Sequence, residues 1–221
     1  MTQGRLVGTL ADPDPAVMAL LADPDEFTQR ILAAAVDQMA AVGWRRSTVE
    51  DVAKRAGIGR ATVYRRFTTK DALTEAVLHN ELRIYLAGST AAVAGLADVG
   101  DRMAESTVYT LEYVRNHRLI QRLLDTEPEA VLPALTTSAG PLVETIREFI
   151  LAVWKHELYE DRPLPADIEK HLRTVAELHI RIAISLLLTP QTAIDLEPTD
   201  HARTFARRYL APMLDAIGTV R

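Results

Sequence analysis

Eight basic residues cluster in one stretch: Arg45, Arg46, Lys54, Arg55, Arg60, Arg65, Arg66 and Lys70. The same stretch holds only two acids, Glu50 and Asp51, so its net charge is +6. The rest of the chain carries 17 basic and 28 acidic residues, a net of −11, and the whole chain sums to −5. Hydroxyl groups at Thr48, Thr62 and Tyr64 lie among the cations. A guanidinium can grip guanine O6 and N7 with two bonds, whereas ammonium and hydroxyl groups grip phosphate without reading sequence. A basic segment on an acidic body therefore suggests a polyanion-binding module joined to a part with another task. Charge alone fits a solvated basic face equally well, so spacing has to decide.

The spacing is helical. Phe27, Ile31, Ala34, Ala35, Gln38 and Val42 repeat at helical intervals, broken only by Gln38, and Gly43 follows as a C-terminal cap. Thr48 stands three residues before Asp51, a capping-box start for a helix from Val49 to about Ala56. Gly57 ends it. A third helix is expected from near Gly59 to near Phe67. A fourth begins at Thr68 or Thr69, with Leu73, Val77, Leu78, Leu82 and Tyr85 on its apolar side. Two helices of about eight residues joined by a glycine turn are the physical description of a helix-turn-helix. Ala53 must be small where the next helix crosses it, Gly57 must turn the chain, and Val63 must fill the angle between the helices.

The run from Thr48 to Lys70 closely resembles the DNA-binding segment of the TetR family of transcriptional repressors. Ile31 to Trp44 resembles that family's first helix and the Gly-aromatic pair after it, and Arg203 to Leu214 resembles the last helix of many members. The close resemblance covers roughly residues 27–78. It implies that Thr48 caps the second helix and touches phosphate. It puts Arg60, Ala61, Tyr64 and Arg65 where a recognition helix faces DNA. Thr62 and Tyr64 would reach phosphates through their hydroxyls and Lys70 would contact the backbone. Arg60 and Arg65 are the expected base readers, and Arg66 is expected on phosphate or in solvent. Two positions depart from the family pattern. Gly59 replaces a Ser cap, at a cost of only a few tenths of a kcal/mol. Glu50 stands where some relatives place a basic residue, and its expected role is to complement the helix dipole.

Residues 1–25, rich in Asp, Pro and Gly, read as a mobile arm. Residues 26–70 form the helix-turn-helix unit and residues 71–221 an acidic helical body. Helical segments are expected near 98–115, 117–124, 128–136, 139–160, 164–188 and 199–217, punctuated by prolines. Pro212 should kink the last. No period-2 alternation suggests a sheet, so the fold class is all-α. In the family the body dimerises and holds a small-molecule pocket. Half-sites about 34 Å apart would also require two rigidly held modules. Ile180, Ala183 and Leu187, with Phe205, Tyr209 and Met213 of the last helix, are the expected dimer seam. Met103, Tyr109, Tyr113, Trp154 and His179 are the expected pocket lining, although each of them also suits ordinary core. His171 and His179, two turns apart without a matched carboxylate, make a poor metal site. Glu177 and Arg181 are an expected intrahelical pair.

The chain has 221 residues, 48% of them apolar, enough for a sizeable core. It contains no cysteine, which removes disulfides, thiolate metal sites and cysteine nucleophiles. No apolar run is long enough to span a membrane, and the acidic N-terminus does not resemble a secretory signal, so a cytoplasmic location is expected. No P-loop, Rossmann glycine pattern, Gly-x-Ser-x-Gly elbow or His-Glu-x-x-His motif supports an enzyme, and no cofactor or metal is expected. The leading expectation is a homodimeric repressor of a palindromic operator in double-stranded DNA, released by a small, largely apolar effector. The alternatives are a DNA-binding regulator without a small ligand and an enzyme with a DNA-binding head.

Overall fold

The computed structural model describes residues 22–159 and 162–215, and the regular structure among them is entirely helical. All but the last four residues of the expected N-terminal arm lie outside the described residues. Helix α1 (Glu26–Val42) starts at Asp25, whose carboxylate accepts the Thr28 N–H at 2.8 Å. It ends at Gly43, which has φ 90° and ψ 164°, a region that side chains with a Cβ rarely enter. Helix α2 (Val49–Ala56) opens on the expected capping box. The Thr48 hydroxyl accepts from Asp51 N–H at 3.1 Å, and the Asp51 carboxylate accepts from Thr48 N–H at 3.3 Å. Gly57, left-handed at φ 66°, turns the chain into α3 (Arg60–Arg66). The three residues predicted to set the angle act as expected: Ala53 and Val63 are fully buried at the crossing.

Helix α4 (Lys70–Val93) leaves the head and runs into the body. Leu73 and Val77 face the core, but Leu78 is exposed. Adjacent residues are about 100° apart on a helix, so Val77 and Leu78 cannot both point inward at a narrow contact. Next come α5 (Val99–Asn116), α6 (Arg118–Thr126), α7 (Pro128–Leu135), α8 (Gly140–Tyr159) and α9 (Ala166–Leu188). These bounds lie within two residues of the sequence expectation. The last segment is not one regular helix. Helix α10 (Thr199–Phe205) passes into a π turn (Ala206–Leu210) and then a short α11 (Pro212–Asp215). Pro212 has no N–H, and its ring would strike the carbonyl four residues back in a regular helix. The wider turn relieves this, and Ala211 N–H bonds to Ala206 O at 2.9 Å, five residues back.

The head's core draws on the body. Ile31, Leu32, Ala35 and Met39 of α1 pack with Val52, Val63, Leu73 and Val77, and Leu119 and Leu123 of α6 complete the same cluster. A second core joins α5, α8, α9 and the last helix through Met103, Leu151, Leu172, Val175 and Leu210. Burying a side chain of this size contributes roughly 1.5–3 kcal/mol, so α6 is a structural part of the head.

Candidate nucleic-acid interface

Helix α3 presents Arg60, Ala61, Tyr64 and Arg65 exposed, while Val63 on its other side is wholly buried and Thr62 is half-buried. The Arg60 guanidinium lies over the Tyr64 ring, 5.3 Å from its centroid. It also meets the Glu50 carboxylate at 3.5 Å. Glu50 therefore has a second role besides its place in the first turn of α2, since it holds an arginine of the outward face. A pair this exposed is weak and screened by salt.

Several cations of the basic stretch serve the fold. Arg55 donates to the Gln38 amide oxygen through Nε at 3.0 Å and Nη2 at 2.9 Å. Gln38, the one polar break in the α1 pattern, is buried and acts as that arginine's acceptor. Arg66, expected on phosphate or in solvent, is exposed and also ties α3 to the start of α1. Its Nε donates to the Thr28 hydroxyl at 2.8 Å and its Nη2 to the Asp25 carboxylate at 3.0 Å. The bond from Thr28 N–H, more than Arg66 itself, holds the Asp25 carboxyl below its ordinary pKa. Lys70 Nζ donates to Trp44 O at 2.8 Å and Arg45 O at 3.2 Å, closing the α1–α2 turn. An ammonium has three donors, so one remains for a phosphate. Thr48 is exposed, with its oxygen engaged in the capping box.

A contact with no signal in the local sequence locks the head to the body. Glu127, buried at the end of α6, accepts the Arg45 N–H at 3.1 Å. Its other carboxylate oxygen abuts Gly43, where an added Cβ would sit 2.1 Å away. Glu129 pairs with the Arg45 guanidinium at 2.7 Å. The two sides of the Glu127 contact are 82 residues apart in sequence, beyond the reach of any periodicity.

The five residues expected to line a pocket divide between two places, Tyr109 with Tyr113 in one and Met103, Trp154 and His179 in the other. Tyr109 and Tyr113 stack with Tyr85 between α4 and α5, with ring centroids 5.3–6.0 Å apart, and the Tyr113 ring continues to His117 at 5.1 Å. Burial, with Glu81 nearby, pushes the Tyr113 phenol well above its ordinary pKa. Met103 and Trp154 belong to the second core, and Trp154 meets His179 edge-on at 6.3 Å. His179 Nδ1 donates to Val175 O at 2.6 Å, and burial lowers its pKa. The expected seam residues also separate. Ile180 is buried against Val143, Ile146 and Ile184 inside this one chain, while Ala183 and Leu187 line a cleft. Phe205 and Met213 are half-buried, and Tyr209 is 55% exposed. Leu178, overlooked in the sequence, is exposed on α9. The Glu177–Arg181 pair forms at 2.7 Å and extends to Arg147 at 3.1 Å.

A buried helical hairpin with a cationic, aromatic outer face defines a helix-turn-helix DNA-binding protein. Residues 31–77 match the family model described as bacterial regulatory proteins, tetR family, and residues 98–207 match the bacterial tetracyclin repressor C-terminal domain. The chain belongs to the TetR family of transcriptional regulators. Two uncharacterized HTH-type transcriptional regulators from strains of Mycobacterium tuberculosis are each 28% identical over 142 residues. The match covers 64% of this chain and 65% of each relative, so it spans just under two thirds of their length. The crystal structure of the TetR family repressor AlkX from Dietzia sp. strain DQ12-45-1b, implicated in biodegradation of n-alkanes, superposes with TM-score 0.64 at 21% identity. That superposition covers 88% of this chain and 98% of AlkX. A putative TetR family regulator from Vibrio parahaemolyticus superposes with TM-score 0.50 at 18% identity, covering 81% and 96%. These likenesses show a shared fold. The matched proteins are transcriptional regulators rather than enzymes. No helix among the described residues is long and apolar enough to cross a membrane.

Proposed function

We propose that the protein is a homodimeric repressor that binds a palindromic operator in double-stranded DNA and leaves it when a small, largely apolar effector binds. The observation that carries this reading is the outward face of α3, where Arg60, Ala61, Tyr64 and Arg65 stand exposed on a helix anchored by Val63. Arg60 and Arg65 read base edges, and the small Ala61 lets the helix approach them. Tyr64, Thr62, Thr48 and the third donor of Lys70 hold phosphates, which set register without reading sequence. Two such faces one helical turn of DNA apart require a dimer. Leu178, Ile182, Phe205, Tyr209 and Met213 form its seam. Leu178 and Tyr209 are exposed, Ile182 follows Leu178 by one helical turn, and the Phe205 and Tyr209 rings lie 5.5 Å apart.

The test uses DNA selected by the full-length protein from a random duplex library. Arg65→Ala should relax base preference at one position per half-site and cost about 1–3 kcal/mol there. Lys70→Ala should weaken all sequences alike and make the salt slope shallower by about one unit. Selection of no common sequence, or unaltered binding by both variants, refutes the assignment of this face.

A further inference from the structure

Two acids just ahead of α1 reach two different parts of the fold. Asp25 caps α1 and, together with the buried Thr28, holds Arg66, the last residue of α3. Asp23, two residues earlier, pairs with Arg83 of α4. That pair is shielded, with side chains only 19% and 13% exposed. The other two nitrogens of Arg83, Nε and Nη2, donate to Asn80 Oδ1 at 3.3 and 3.2 Å, so the guanidinium is also fixed on its own helix. Between the two acids stands Pro24, whose ring fixes φ and whose carbonyl accepts from Gln29 Nε2 at 2.9 Å.

Arg83 lies beyond the head. The head's core takes Leu73 and Val77 from α4, whereas Leu82, Tyr85 and Leu86 pack with Phe149 of α8 in the body. A rise of about 1.5 Å per residue places Arg83 about 20 Å along α4 from Lys70, which closes the α1–α2 turn. The backbone from Asp23 to Asp25 spans at most about 7 Å. A short, stiff link thus fastens the end of α3 and the start of α1 to the body half of α4. The head cannot tilt about α4 without parting a shielded ion pair, and a shielded charge left alone is costly. Over that lever of about 20 Å, a tilt of about 6° would move the DNA end of the head by about 2 Å.

We propose that residues 22–25 are a positioning strap between α3 and the body, and that Asp23 and Arg83 thereby restrict the half-site spacing that the dimer accepts. The spacing role rests on the dimeric operator reading above. Neither residue belongs to the outward face of α3, so each acts through Asp25 and Arg66 rather than on DNA. A head held in place before binding gives up little freedom on a matched operator and must strain to meet a mismatched one. A loosened head loses that discrimination while its base readers remain.

The experiment uses the full chain and duplexes that carry the selected half-sites with one base pair added or removed between them, a step of about 3.4 Å and roughly 35°. Wild type should lose about tenfold or more in affinity at such a step, and Asp23→Asn and Arg83→Gln should each reduce that loss to about threefold or less, with base preference inside the half-site unchanged. The two substitutions change the net charge in opposite senses, so an effect of charge alone would move them apart, by the same factor at every spacing. The chain has no cysteine, so Ala33→Cys at an exposed position of α1 supplies one spin label per chain. Pulsed dipolar spectroscopy of the free protein should give a narrow distance between the two labels of a dimer. Either strap substitution should broaden it while circular dichroism stays the same, and both together should broaden it no further than one alone. An unchanged spacing profile or an unchanged distance in both variants, opposite shifts equal at every spacing, or a wild-type dimer indifferent to spacing overturns the strap. No label-to-label distance in wild type, or no common sequence selected, instead refutes the dimeric operator reading and takes the spacing role with it.

Discussion

Gly43 tests how firmly the body holds the head. Its φ of 90° with ψ of 164° is a conformation that residues with a Cβ avoid, at a cost on the order of 1–3 kcal/mol. A Cβ there would also sit 2.1 Å from the Glu127 Oε1. The carboxylate is the far end of a side chain and can swing away, but it then abandons the Arg45 N–H that it accepts at 3.1 Å. Losing that charge-assisted bond costs about 1–2 kcal/mol. Gly43→Ala should therefore destabilise the protein by roughly 2–5 kcal/mol, with each kcal/mol lowering Tm by about 2–4 °C. Glu127→Ala alone should cost about 1–2 kcal/mol, for the same lost bond. In the Glu127→Ala background the alanine at position 43 meets no carboxylate, so only the backbone strain remains. The double variant should thus be more stable than the sum of the singles by about 1–2 kcal/mol, a coupling that a double-mutant cycle reads directly. Urea unfolding of the four proteins by circular dichroism supplies the cycle. Additive effects within error, or a harmless Gly43→Ala, would refute the contact between Glu127 and the α1–α2 turn.

Glu50→Gln frees Arg60 and removes a negative charge from the DNA face, so affinity for any duplex should rise roughly two- to fivefold at low salt. Filter binding on selected and scrambled DNA checks this, and a weakened complex would show that Glu50 positions Arg60 productively. Leu178→Glu and Tyr209→Glu should each dissociate the dimer at micromolar concentration while far-UV circular dichroism stays the same, because an unpaired carboxylate would be buried once per subunit. Sedimentation as a stable dimer for both variants excludes the proposed seam. His179 is held below its ordinary pKa chiefly by burial, so the fold prefers it neutral. As pH falls below about 6.5 the unfolded chain takes up the proton more readily, and stability drops. His179→Gln should flatten the fall in Tm between pH 7.5 and 5.5, and a slope equal to wild type would remove His179 as its source.

What the sequence determined by itself is local. Periodicity and caps placed the helices because an amphipathic helix and its first turn are specified within a few residues: Thr48 with Asp51, Gly57 after Ala56, Pro128 at the start of α7. The head's geometry was legible for the same reason, since Ala53, Gly57 and Val63 lie within one hairpin. Tertiary structure alone decided how charges and apolar faces were matched across the chain. Arg55, Arg66 and Lys70 look alike in a basic run, but Gln38, Asp25 with Thr28, and two carbonyls of the α1–α2 turn engage them inside the fold. In the body, only His179, Arg181 and Ser185 interrupt the apolar residues of α9 from Leu178 to Leu188, and the packing of α8 and the last helix against it assigned Ile180 to the core, Ala183 and Leu187 to the cleft, and Leu178 to the surface. Where a helix end is apolar nearly all round, the polar stripe that would mark its outer face fades, and its contacts are set by the volumes of its neighbours, which adjacent positions in the chain do not encode.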